Sequence, residues 1–291
     1  MQLALLLLRF LSSRTGKITG IIMIGLPLVL ITGCSSLFFY PQKAHWDNPR
    51  LKQATYEDLY FQTSDGLALH AWYLKARPEK KGTILFLHGN AENISTHVNN
   101  VLWLTDFGYD VFAFDYRGYG KSEGSPTIAG VHADARAALE TILGLTQKAG
   151  ERIIILGQSL GGAIAVHTTA NSPHKNRIKT LIIDSAFSDY QVIAREKLAL
   201  FAVTWIFQYP LAALFADEHS PLKWMKRLAP VPVLILHGAK DTIVPPHHSR
   251  MLYDAALAPK DFWLVENAGH VQAFASQEIK ARLAEYLQSL E

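Results

Sequence analysis

Three residues far apart in the chain have the types that acyl transfer requires. Ser159 lies in Gly157-Gln158-Ser159-Leu160-Gly161, Asp241 in His237-Gly238-Ala239-Lys240-Asp241, and His270 in Asn267-Ala268-Gly269-His270. A serine hydroxyl is a weak nucleophile until a base takes its proton. A histidine, neutral near pH 7, can be that base. An aspartate can fix the imidazole tautomer and stabilise the imidazolium that forms. The order Ser…Asp…His is one of those in which such groups assemble.

The pattern G-x-S-x-G carries chemistry only at a strand-to-helix corner. Here Arg152-Ile153-Ile154-Ile155-Leu156 precedes it and Gly162-Ala163-Ile164-Ala165-Val166 follows. Four apolar residues in a row read as a buried parallel strand, and the small residues after the corner as a helix. The glycines on either side of Ser159 spare a tight turn two clashing Cβ atoms. Acyl transfer also needs two N–H groups aimed at the developing oxyanion. Leu160, directly after the serine, is assigned one. The turn His88-Gly89-Asn90-Ala91, which ends a buried strand at Gly82–Leu87, is assigned the other, from Asn90 or Ala91.

Rival residues have other readings. Asp184 also ends a strand, Ile178 to Ile183, and is the alternative acid. Asp115 and Arg117 are expected to pair and hold their glycine-rich loop. His88 and His237 precede glycine turns and read as structural. His247-His248 has the look of a metal pair, but adjacent side chains diverge and no further ligand cluster is evident. No metal site and no cofactor is expected.

The positioning elements alternate at short spacing, so the sheet is mostly parallel. Strands are expected at Tyr56 to Phe61, Leu67 to Leu74, Gly82 to Leu87, Val111 to Phe114, Ile153 to Leu156, Ile178 to Ile183, Val233 to Leu236 and Phe262 to Val265. The first two form a hairpin across Ser64-Asp65-Gly66. Helices are expected from Asn93 or Ser95 to about Phe107, from about Val131 to Lys148, and from Gln272 to Leu290. Residues 185–230 read as a helical cap, apolar on more than one face and therefore buried or in contact with lipid. The folded domain is placed at 55–291.

The 291 residues carry 28 basic and 25 acidic side chains, a net of +3, too little to point to nucleic acid. Arg9, Arg14 and Lys17 account for that excess. Ile18 to Ile31 is free of charge, short for a membrane span and suited to a signal h-region. Ile31-Thr32-Gly33-Cys34 resembles the lipobox of bacterial lipoproteins. The resemblance implies a signal peptide over 1–33, lipid on Cys34, a tether over 34–54, and a protein of the bacterial cell envelope on the outer membrane, facing the periplasm. An inner-membrane signal anchor is the alternative. Cys34 is the only cysteine, so no internal disulfide can form.

His88-Gly89-Asn90-Ala91, Asp115-Tyr116-Arg117-Gly118-Tyr119-Gly120, Gly157-Gln158-Ser159-Leu160-Gly161-Gly162, His237-Gly238-x-x-Asp241-x-x-Val244-Pro245 and Gly269-His270 together resemble the α/β-hydrolase superfamily. They are most similar to its serine-aminopeptidase-like branch, which includes membrane-associated hydrolases related to depalmitoylating thioesterases. The resemblance implies an α/β-hydrolase fold and a serine hydrolase acting on carboxylic esters or thioesters. Peptide hydrolysis and a non-catalytic scaffold of the same fold are the alternatives. Natural substrate and oligomeric state are not legible.

Overall fold

A computed structural model describes residues 38–48, 50–146 and 151–290. The expected signal segment 1–33 and the lipidation residue Cys34 lie outside the described residues. Eight strands form one sheet: β1 (Tyr56–Gln62), β2 (Ala68–Leu74), β3 (Gly82–Leu87), β4 (Tyr109–Phe114), β5 (Ile153–Gln158), β6 (Ile178–Asp184), β7 (Val233–Gly238) and β8 (Lys260–Val265). Their spatial order is β8-β7-β6-β5-β3-β4-β2-β1. β2 runs antiparallel to both its neighbours, and every other pairing is parallel. The hairpin joining β1 and β2 turns at Gly66, whose φ of +85° suits a residue without a Cβ. This is the α/β-hydrolase fold.

β3 through β7 are buried from end to end because both faces of the sheet are covered. Side chains alternate between those faces. Ile84, Phe86, Ile154, Leu156, Ile182, Leu234 and Leu236 join one core with Ile279, Leu283 and Leu287 of the C-terminal helix. The other face receives the helix after Ser159: a Cβ on Gly162 would come within 3.3 Å of Ile183. The main helices are α1 (Ile128–Leu145), α2 (Leu160–Asn171), α3 (Tyr190–Ala199), α4 (His247–Ala255) and α5 (Gln277–Ser289). Thr127, Asp189 and Ser276 cap α1, α3 and α5 by accepting backbone N–H groups.

Four expectations are corrected. The helix expected to Phe107 is only Ile94–His97, followed by 3-10 turns at Val98–Asn100 and Leu102–Phe107. Asn93 does cap it, but Val98, Asn99, Asn100 and Val101 are poor helix formers. The tether does not run to residue 54, because Tyr40–Pro41 pairs in parallel with Ala91–Glu92. Behind that pairing, Asn93 Nδ2 donates to the carbonyls of Gln42 and Ala44, and Asn48 Nδ2 to that of Ser95. The compact unit therefore begins at Phe39. Arg117 does not pair with Asp115; it binds Asp134 through Nε and Nη2 at 2.9 and 2.7 Å, and Asp65 through Nη1 at 2.9 Å. Last, the cap's apolar run is not one buried helix. After α3 come short turns of helix, Ala202–Trp205 and Gln208–Ala212, and Leu200, Phe201, Val203, Trp205, Ile206, Phe207 and Tyr209 are each at least 51% exposed. No described helix is long and apolar enough to cross a membrane.

Candidate active site

β5 ends at Gln158 and α2 starts at Leu160, so Ser159 alone makes the corner, at φ +54° and ψ −120°. The corner is as tight as the glycine pattern requires. A Cβ on Gly157 would lie 2.4 Å from the Gly161 carbonyl oxygen, and one on Gly161 would lie 2.1 Å from that of Leu87. The Ser159 N–H donates to the Asp184 carbonyl at 2.8 Å, which ties the turn to the end of β6. Gln158 adds a second tie, donating to the Asp184 carboxylate at 2.8 Å while accepting from Asn100 at 2.9 Å.

His270 and Asp241 arrive from the loops after β8 and β7. Ser159 Oγ lies 2.9 Å from His270 Nε2, and His270 Nδ1 lies 2.7 Å from Asp241 Oδ2. The other carboxylate oxygen, Oδ1, accepts the N–H groups of Ile243 and Val244 at 2.8 and 2.9 Å. His237 Nε2 stands 3.2 Å from Oδ2. Burial pushes Asp241 up, but hydrogen bonds from His237 and His270 outweigh it and hold the carboxyl below the usual range. A hydroxyl so placed can give its proton to His270, while the ionised Asp241 steadies the resulting imidazolium. The rival acid, Asp184, is fully buried and spent on Gln158 and Ser185. Burial raises its pKa.

The other two assigned donors lie at the start of α2 and on the Gly89 turn. Leu160 opens α2, where the first N–H groups have no partner within the helix. The Gly89 turn lies against the nucleophile, since a Cβ there would sit 3.7 Å from Ser159 Cβ. The Asn90 carbonyl accepts Tyr40 N–H at 2.9 Å and Tyr119 Oη–H at 2.7 Å. That leaves the N–H groups of Asn90 and Ala91 on the turn.

Several contributors were not singled out by sequence. His97 Nε2 meets the Ala91 carbonyl at 2.9 Å and braces the turn. His237, read as structural, also touches the acid. Ser185 Oγ accepts the Val271 N–H beside His270 at 3.3 Å. Ser185 and Val271 both have positive φ, +55° and +50°, a signal that exists only in three dimensions. His88 matches its structural reading: burial drives it down to about 3, leaving a neutral ring against Tyr116. His247 and His248 do not diverge. Their rings stack 4.5 Å apart, and both Nε2 atoms face Glu196 of α3, at 3.0 and 3.1 Å. Glu196 and Lys197, which donates to the Ile243 carbonyl, thereby join the cap to the loop that carries Asp241.

Comparison with known proteins bears on the family and the fold. Residues 78–227 match the family described as serine aminopeptidase, S33. The chain is 36% identical over 252 residues to the alpha/beta hydrolase domain-containing protein WAV2 of Arabidopsis thaliana, covering 82% of this chain and 80% of that one. It is 31% identical over 251 residues to the uncharacterized protein YfhR of Escherichia coli, covering 83% and 82%. Among solved structures, the Pyrococcus furiosus esterase Pf2001 superposes with a TM-score of 0.70 at 22% identity, over 87% of this chain and 98% of that one. Acetyl xylan esterase 1 from Thermoanaerobacterium does so with a TM-score of 0.59 at 20% identity, over 86% of each.

Proposed function

Since this chain belongs to the serine aminopeptidase branch of the α/β-hydrolases, we propose that it is a serine hydrolase that cleaves carboxylic esters or thioesters through an acyl-enzyme. The observation that carries the reading is the unbroken chain from Ser159 Oγ through His270 to Asp241, at 2.9 and 2.7 Å. Ser159 gives its proton to His270 Nε2 and attacks the acyl carbon. The N–H of Leu160 and that of Asn90 or Ala91 receive the oxyanion. His270 then protonates the departing alcohol or thiol as its bond to carbon breaks. A water, deprotonated by His270, attacks the acyl-enzyme, and the carboxylic acid leaves with Ser159 restored. No step calls for a metal or cofactor.

Membrane attachment is the second part of the proposal. Cys34 carries lipid and holds the enzyme at the outer membrane, facing the periplasm. The uncharged stretch Ile18 to Ile31 and the single, well-placed cysteine support this. So do the apolar side chains that the cap turns outward, which suit contact with the same bilayer. The substrates are then acyl esters or thioesters met at the membrane surface.

A fluorophosphonate probe should label the wild-type protein and not Ser159→Ala. A panel of p-nitrophenyl esters of increasing chain length, an acyl thioester and an aminoacyl anilide should be cleaved in favour of the esters and thioester. Labelling that survives in Ser159→Ala removes the nucleophile, and preference for the anilide replaces the esterase with a peptidase. A fatty-acid analogue fed to cells should mark the wild-type chain and not Cys34→Ser; an unmarked wild type ends the lipoprotein reading.

A further inference from the structure

On the far side of the Gly89 turn, the Asp115 carboxylate gathers histidines from three elements. His45 comes from the arm before β1, His70 from β2 and His88 from the turn after β3. His45 Nε2 lies 3.0 Å from Asp115 Oδ2, and His70 Nδ1 lies 3.5 Å from the same oxygen. His88 Nε2 stands 3.8 Å from Oδ1, which also accepts the Ile94 N–H at 2.8 Å. The side chains of Asp115, His70 and His88 have no exposure to solvent, and that of His45 has 15%.

His70 Nε2 is hydrogen-bonded to the Asp58 carboxylate, which Lys121 Nζ holds from outside at 3.1 Å. A carboxylate there only accepts, so Nε2 donates to it, and the ring's other nitrogen, Nδ1, is turned to Asp115. That nitrogen is buried without a hydrogen-bond partner and faces a carboxylate oxygen. A cation placed between the two atoms gives the unpartnered nitrogen and the carboxylate oxygen a shared partner.

The spacing suits such an ion. Ligands of a tetrahedral zinc stand about 3.3 Å from one another, given bonds of about 2.0 Å. The two edges at Asp115 Oδ2, 3.0 and 3.5 Å, bracket that value. The three ligand atoms all lie within 4.8 Å of one another. Asp58 on the far nitrogen of His70 is the outer-shell carboxylate that zinc-binding histidines commonly have. Gly120, at φ +45°, leaves the room: a Cβ there would lie 2.0 Å from Asp115 Oδ2 and 2.6 Å from His45 Nε2. The Glu196–His247–His248 cluster differs in kind. His248 Nδ1 accepts the Ser188 N–H at 3.2 Å, so its ring proton sits on Nε2, toward Glu196, and that pairing is complete without an ion.

We infer that His45 Nε2, His70 Nδ1 and Asp115 Oδ2 form a binding site for a divalent transition metal ion of the zinc type. His45, the one partly exposed ligand, gives the ion its way in. The role is structural, because the site fastens the N-terminal arm to the residue that also holds Ile94, just past the Asn90–Ala91 turn. It is independent of the ester chemistry proposed for Ser159.

The test uses the full-length protein, purified in detergent from zinc-supplemented cells. Elemental analysis should find about one zinc per chain. After chelation, Co²⁺ should restore one equivalent with visible d–d absorption. His45→Gln and His70→Gln should bind no Co²⁺, Asp58→Asn should bind it about 10- to 100-fold more weakly, and Glu196→Gln should bind it as the wild type does. Should His70→Gln not fold, His45→Gln on the surface arm and Asp58→Asn decide. A wild-type chain that binds no stoichiometric Zn²⁺ or Co²⁺ overturns the inference. So does loss of the ion in Glu196→Gln with retention in His45→Gln.

Discussion

Ser159 meets His270 only because its backbone sits at φ +54°, in a region that costs a non-glycine residue about 1–3 kcal/mol. Three anchors impose that conformation: the two glycines, the N–H bond to the Asp184 carbonyl, and the Gln158 bridge to the Asp184 carboxylate. Asp184 therefore supports the corner, while Asp241 faces the base. Asp241→Asn should lower kcat/KM for a p-nitrophenyl ester by up to about 10⁴-fold, as loss of the orienting acid does elsewhere. Asp184→Asn should cost far less, and the reverse ranking on folded proteins would exchange the two roles. Asp241 also has a pH signature. Its pKa is depressed in the fold, so its contribution to stability is complete above its ordinary value of 3.8 and is lost as pH falls through the lower folded value. In urea titrations, the stability gap between wild type and Asp241→Asn should close below about pH 3.8. Ser159, Asp241 and His270 were legible because each follows a short apolar run that forms a strand, buried in β5 and β7 and only partly so in β8. The contacts of His97, His237 and Ser185 were not, because they depend on loops whose paths no local pattern fixes.

The sheet was legible almost strand by strand, and what escaped lies in the segments between strands. The arm at Tyr40–Asn48 has no apolar periodicity, and prolines bracket it. Its order comes from partners some 50 residues away, such as Ser95 and Asn93. A chain begun at Thr55 lacks the arm and its bonds to Asn93 and Ser95. It should lose about tenfold in kcat/KM or more, since each lost hydrogen bond to the oxyanion turn is worth about 1 kcal/mol. A chain begun at Ser36 should retain its activity on soluble esters. Arg117 gives a sharper comparison. Asp134 is wholly buried against it, whereas Asp65 is 52% exposed. Asp134→Ala strands a buried guanidinium and should cost about 3–5 kcal/mol in chemical denaturation. Asp65→Ala should cost far less, since its carboxylate is half exposed and screened by solvent.

Across the whole molecule, the cap is where sequence and structure part most clearly. An apolar run usually signals a core, and residues 198–207 look like one. Here Leu200 ends α3, and the run breaks into short turns that face outward. If that face meets lipid, a chain begun at Ser36 should sediment with phospholipid vesicles. Phe201→Asp with Trp205→Asp should then reduce the bound fraction about tenfold or more, because each buried aromatic contributes about 1.5–3 kcal/mol. Hydrolysis of a soluble short-chain ester should be unchanged. The three reacting side chains also fix when the molecule can first react. Ser159 and His270 are 111 residues apart, and Asp241 and His270 are 29 apart. Chains are made from the N-terminus at about 5–20 residues per second. Ser159 therefore exists for several seconds as an ordinary alcohol, with no base to activate it. His270 is made only after β8, and α5, which packs on the core, follows it. If Ser159 is the nucleophile proposed above, a growing chain that has not yet reached His270 has no base to activate it and cannot cleave an ester.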